Sequence, residues 1–137
     1  MIVVDASVAV KWFFPEPGAE SAGAILSGSE KLMAPALIRV EAAAEITRKF
    51  RTGELAAEEA ASACRLWFAA LARGVITLSP DEVDLAAAME LAIQIRHPLQ
   101  DCLYLAVARR AHCALITADL KFGARARDVY EEVKLLS

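Results

Sequence analysis

The chain of 137 residues lacks disulfide-forming cysteines, a membrane-length apolar run and a surplus of basic charge, and each absence narrows what it does. Its three cysteines, Cys64, Cys102 and Cys113, are odd in number and have no Cys-x-x-Cys spacing. That argues against a disulfide scaffold and leaves them as small buried hydrophobes. No apolar stretch approaches the ~20 residues that a membrane span needs. The start, Met1 to Asp5, shows neither the basic region nor the long apolar core of a secretory leader, so a cytoplasmic location is expected. Low-complexity segments and internal repeats are absent. Fifteen Lys and Arg against 18 Asp and Glu give a net charge of −3. This balance neither supports nor excludes a nucleic-acid partner, because cations can gather on one face and a bound metal locally inverts the sign of an acidic cleft.

What is present is hydrophobic and alternating. With 57% hydrophobic residues, a chain of this size buries roughly two-thirds of its unfolded surface, and one domain spanning residues 1–137 is expected. Short apolar runs at Ile2–Val4, Lys31–Ala34, Val75–Leu78, Ala114–Thr117 and Val133–Leu136 read as strands. Between them lie helical stretches, many rich in alanine: Ser7–Phe14 stopped by Pro15, Ala19–Leu26 ended by Gly28, Pro35–Arg51 before Gly53, and Ala56–Arg73 before Gly74. A further helix is predicted after Ser79-Pro80-Asp81-Glu82, with Ser79 as cap and Glu82 closing a capping box. Pro98 starts another that runs to His112, and a short one follows Asp119. The alternation implies an α/β fold, a parallel sheet covered by helices on both faces.

Four carboxylates stand where such a sheet delivers side chains to one cleft. Asp5 closes the first strand in IVVDAS and Asp119 follows the fourth in ALITAD, and ligands bind at the carboxyl ends of parallel strands. Asp101, in HPLQDCLYLA, lies in the first turn of its helix, where the macrodipole welcomes any acid. Asp5 and Asp119 could be helix caps, although Ser7 reads as the better cap for the first helix. Glu41, in LIRVEAAAE, falls on the apolar stripe of its helix, whereas Glu45 has an ordinary surface partner in Lys49 four residues on. Like charges converging in one cleft repel unless protonated or neutralised, so divalent cations are the natural counter-charge.

Taken together, IVVDASVAVKWF, the helical Glu41, QDCLYLAVA and ITADLKF resemble the PIN-domain ribonucleases, in particular the VapC toxins of toxin–antitoxin pairs. The resemblance covers nearly the whole chain. It implies a three-layer α/β/α sandwich with parallel strand order 3-2-1-4-5 and an endoribonuclease dependent on Mg²⁺ or Mn²⁺. It also implies an acidic quartet of Asp5, Glu41, Asp101 and Asp119, with Ser7 and Thr117 in supporting positions. Asp5 and Asp101 are then expected as the principal metal ligands, with Glu41 and Asp119 completing the site. The partners it implies are RNA, a second copy of the chain and a VapB-like antitoxin whose tail covers the cleft.

The chemistry has its own requirements. In-line hydrolysis of a phosphodiester needs a hydroxide near neutral pH, stabilised phosphoryl oxygens and relief for the leaving oxygen, all of which a bound metal supplies. Hard oxygen donors suit Mg²⁺ or Mn²⁺. A flap-type DNA nuclease fits less well, since no helical arch or DNA-binding appendage is visible in the sequence. A receiver-like phospho-acceptor wants paired acids after the first strand, which Asp5-Ala6-Ser7 does not supply. A non-catalytic PIN-fold binding module has no need of all four acids.

The remaining residues carry weaker signals. His97 and His112 have no metal-ligand spacing and read as surface or helix-end residues. Lys11, Lys121, Arg125 and Arg127 are candidate phosphate contacts, and Asp128 reads as a solvated surface charge. Trp12, Phe13 and Phe14 cannot all face one direction on a helix, so part of that run, with Leu66, Trp67 and Phe68, is expected to reach an interface.

Overall fold

The computed structural model describes residues 1–137 as five parallel strands and seven α-helices. The strands are β1 (Ile2–Val4), β2 (Leu32–Pro35), β3 (Ile76–Ser79), β4 (Ala114–Thr117) and β5 (Val133–Leu135). Their order in the sheet is 3-2-1-4-5, and every neighbouring pair is parallel. Helices on both faces complete a three-layer α/β/α sandwich, as expected. The first strand is central: Ile2 and Val3 pair with β2 on one side and β4 on the other, and Val3 and Val4 are fully buried.

Helix α1 (Ala6–Ala9) tightens into a 3-10 turn at Val10–Trp12, so the single helix expected over Ser7–Phe14 is shorter and two-part. Helix α2 spans Ala19–Ser27 and α3 spans Ile38–Arg51. Pro35 belongs to the end of β2, not to α3, and the Asp81 carboxylate accepts from the Leu37 amide at 2.9 Å, satisfying one orphan donor at the start of α3. Helix α4 (Ala57–Ala72) packs against α3, and the turns after each are made by Gly53 and Gly74 at positive φ. Helix α5 covers Asp81–Ile95. Its cap position is Pro80, without a side-chain bond; Ser79 instead ends β3 and turns its hydroxyl to Arg110. The expected Ser79–Glu82 capping box does not form.

Helix α6 (Leu99–Ala111) is the central helix of the fold. Cys102 to Ala108 are all buried, because α6 lies over β1, β2 and β4 while α5 packs along it. A helix apolar around most of its girth must be enclosed in this way. Helix α7 (Leu120–Arg127) sits against β5 so closely that a Cβ on Gly123 would come within 2.7 Å of Leu135 Cδ2. Arg125 of α7 donates to the carbonyls of Ile95 and Arg96, and Arg127 to that of Val133. Both arginines are therefore committed to holding the fold, not to phosphate.

The aromatic run is fully engaged. Trp12 Nε1 donates to the Ala22 carbonyl at 2.9 Å, Phe13 meets Trp12 and Trp67 edge-on, and Phe14 lies beneath the Lys49 ammonium. Trp67 is core, whereas Leu66 and Phe68 are exposed. Of the three cysteines only Cys102 is fully buried; all are free. No helix is long and apolar enough to cross a membrane.

Candidate active site

The central position of β1 beside β4 brings the ends of two strands to one spot. Asp5 caps α1 itself, contrary to the expectation for Ser7: its Oδ1 accepts from the Val8 amide at 3.3 Å and from the Ser7 hydroxyl at 2.5 Å. The Ser7 oxygen in turn accepts from the Ala118 amide at 2.9 Å and lies 3.5 Å from Thr117 Oγ1. Thr117, fully buried, accepts from the Asp119 amide at 3.1 Å, and Asp119 caps α7 by accepting from Phe122 at 3.0 Å. Ser7 and Thr117 thus tie the loop after β1 to the loop after β4.

Two helices supply the other acids. Glu41 lies in the first turn of α3 and Asp101 in the first turn of α6. Asp5, Ser7, Glu41, Asp101 and Asp119 all line one open cleft of about 450 Å³, whose walls also include Lys11, Glu16, Glu45 and Tyr104. Burial pushes the Asp5 carboxyl up to about 6; the negative charge of Asp101 adds to this, and the bonds from Ser7, Thr117 and Val8 oppose it. Burial also raises Glu41, reinforced by Asp101 and Asp81 and opposed by the neighbouring Tyr104 hydroxyl. The cleft therefore holds more negative charge than its own groups balance.

Three wall residues, Glu16, Glu45 and Tyr104, were not legible as site residues, and neither was His97, which bonds Asp101 without lining the cleft. The His97 side chain is 6% exposed, stacks on Phe122 and places Nε2 2.7 Å from Asp101 Oδ2. The i, i+4 spacing of His97 and Asp101 was the available signal. Glu45 shares the cleft face with Glu41, since they too are four residues apart; its ion pair is with Arg48 at 2.7 Å, not with Lys49. Lys49 is instead paired with Glu16, which also holds Lys11. Of the four candidate phosphate contacts, Lys11 alone lines the cleft.

The donor set fits a hard divalent cation. It consists of carboxylate oxygens with hydroxyls behind them, and no sulfur lines the cleft. No three of the chain's acids, histidines or cysteines stand close enough together to hold a metal ion among them. A cation in this cleft would be held through one or two carboxylates, with water completing its shell.

Comparison with known proteins places this parallel α/β/α sandwich, with its acidic cleft at the carboxyl edge of the central strands. The PIN domain profile matches residues 2–128, and the chain belongs to the PIN domain family. No curated protein matches the chain significantly. Among solved structures, PAE2754 from Pyrobaculum aerophilum superposes with a TM-score of 0.70 at 20% identity, over 98% of this chain and 88% of that one. VapC20 from Mycobacterium tuberculosis, described as a toxin that cleaves the sarcin–ricin loop, gives a TM-score of 0.69 at 19% identity, over 90% and 94%. A toxin–antitoxin complex from Klebsiella pneumoniae gives 0.63 at 15% identity, over 98% and 96%. At these identities the likeness speaks for the fold.

Proposed function

We propose that the chain is a single-domain endoribonuclease dependent on Mg²⁺ or Mn²⁺, acting as the toxin of a toxin–antitoxin pair in the cytoplasm. Membership of the PIN family supports a nuclease. The observation that carries the reading is Asp5, a carboxylate buried at the end of the central strand with hydroxyl and amide donors but no cationic partner. A buried carboxylate in that state calls for a counter-charge from outside the chain. Asp5 and Asp101 would be the principal ligands, with Glu41 and Asp119 completing the site directly or through water.

When bound, the cation supplies an activated water and neutralises charge on the phosphoryl oxygens. The chain's own contribution is orientation. Ser7 holds Oδ1 of Asp5 and is itself fixed by the Ala118 amide, so that carboxylate cannot swing away from the cleft. His97 fixes Asp101 in the same manner, and stacking on Phe122 fixes His97. Lys11, at the cleft wall, is the cation best placed to meet an RNA phosphate.

The structural neighbours support the biological reading: one is described as a sarcin–ricin loop cleaving toxin and another as a toxin–antitoxin complex. A cognate VapB-like antitoxin would silence this cleft by presenting an arginine to the carboxylates in place of the cation. A homodimer is the expected state of the free protein. The decisive experiment is cleavage of RNA and of single- and double-stranded DNA with Mg²⁺, with Mn²⁺ and with EDTA. RNA cleavage that EDTA stops supports the proposal, whereas metal-independent cleavage or cleavage of DNA alone overturns it. Light scattering at micromolar concentration tests the dimer, and residual cleavage by the purified toxin–antitoxin complex tests the inhibition.

A further inference from the structure

One buried polar side-chain atom in the molecule has no hydrogen-bond partner, and it lies at the cleft. The Tyr104 hydroxyl belongs to a residue that is 1% exposed, on α6 one turn after Asp101, and it stands beside Glu41 in the cleft wall, near enough to pull that carboxyl down yet without the geometry of a formed hydrogen bond. Every other buried polar group nearby is satisfied: Asp5, Ser7 and Thr117 bond to one another or to backbone, and the phenol of Tyr130 finds the Cys113 carbonyl at 2.7 Å. Buried hydroxyls are nearly always paired, so an orphan at a ligand cleft marks a bond that forms when the ligand arrives.

The chemistry of the surroundings decides the direction of that bond. Glu41, Asp5 and Asp101 line the same cleft and as carboxylates offer only acceptor oxygens, whereas a phenol at neutral pH carries its proton and can donate. Tyr104 is then a neutral donor among acceptors. It adds no charge and takes no place as a ligand.

We propose that Tyr104 is a positioning residue: on cation binding its hydroxyl donates to the Glu41 carboxylate and orients that group toward the ion. The inference rests on the cation site proposed above. It separates Tyr104 from a core role, because a phenylalanine fills the same space and loses only an unpaired hydroxyl.

The test uses full-length protein and Mn²⁺ alone as probe, with affinity read by titration calorimetry and the thermal midpoint read in EDTA. Tyr104→Phe is expected to keep or raise the midpoint in EDTA while weakening Mn²⁺ binding about 10- to 100-fold, the usual cost of losing a partner behind a metal ligand. Adding Tyr104→Phe to Glu41→Gln is expected to cause no further loss, since the hydroxyl acts through Glu41. Wild-type affinity in Tyr104→Phe overturns the proposal, and so does a full additional loss in the double variant, which would place the bond on another group. Asp5→Asn serves as the reference. Where it loses Mn²⁺ and Tyr104→Phe does not, the cation site stands and only the role of Tyr104 falls; where the wild-type chain itself binds no Mn²⁺, both fall.

Discussion

Two aspartates are buried to nearly the same degree, Asp5 at 5% exposure and Asp84 at 3%, and they are treated in opposite ways. Asp84 on α5 receives both arms of Arg110, at 2.7 and 3.0 Å, and the same guanidinium reaches the Ser79 hydroxyl at 2.8 Å. Its charge is balanced within the chain and joins α5, α6 and β3. Asp5 receives hydroxyl and amide hydrogens but no cation, and faces other acids. A buried carboxylate with its own arginine is a fastening; one left without a counter-charge among other acids is what the proposed cation site rests on.

The largest effect should come from removing the unpaired charge. Asp5→Asn and, separately, Asp101→Asn are expected to reduce RNA cleavage by roughly three orders of magnitude or more, about 4 kcal/mol of barrier, with the fold intact. Asp5→Asn should also stabilise the metal-free protein. Because the folded carboxyl titrates near 6 rather than 3.8, its ionisation works against the fold. That contribution to stability is fully present below the unfolded value and is lost as pH rises through about 6. The gain over wild type, at most ~3 kcal/mol, should therefore appear across pH 4 to 7 in EDTA melts and vanish in more acidic buffer. An equal midpoint at every pH would remove the unbalanced-charge account of Asp5.

Arg110→Ala should do the reverse. It leaves Asp84 buried without its partner, at a cost of about 2–4 kcal/mol once the solvent access of the guanidinium is allowed for. Cleavage per folded molecule should stay unchanged. Urea unfolding beside single-turnover cleavage checks both halves, and a loss of activity without a loss of stability would erase the contrast between the two aspartates.

Within the cleft, smaller differences sharpen the same contrast. Glu41→Gln should cost toward 100-fold in cleavage, since the half-buried Glu41 has no cationic partner. Glu45→Gln should cost only a few-fold, roughly the worth of an exposed charge, because Arg48 already balances it at the same wall. Equal losses would mean that α3 supplies diffuse negative charge and no specific ligand. His97→Gln should weaken Mn²⁺ binding about tenfold, the lower end for a group that orients a ligand, with little change in melting temperature.

The parts of this molecule written in local pattern were legible. Strand and helix alternation, the stops at Gly53 and Gly74, and the placement of Asp5 and Asp119 after apolar runs follow from periodicity and turn chemistry within a few residues. Long-range partners were not. Ser79-Pro80-Asp81-Glu82 carries the letters of a capping box, yet Asp81 caps α3 from 44 residues away and Ser79 serves Arg110, so tertiary bonds displaced the local ones. Glu45 was matched to Lys49 by spacing, while Glu16, brought in by the turn after α1, took that lysine at 2.8 Å. Pro98 and the predicted run to His112 place the ends of α5 and α6, but the positive φ that Arg96 and His112 adopt there without glycine was not legible.

Because the first strand lies in the middle of the sheet, the cleft has an order of assembly. Ser7 and Thr117, 110 residues apart, must meet before the two strand-end loops are joined, and β1 can pair with β4 only after nearly the whole chain exists. Parallel pairing over such a separation is slow compared with helix formation. On a growing polypeptide the N-terminal segment presents Asp5 and Glu41 alone, without Asp101 or Asp119. The cleft is thereby completed late: the four acids come together only after the fourth strand has been made.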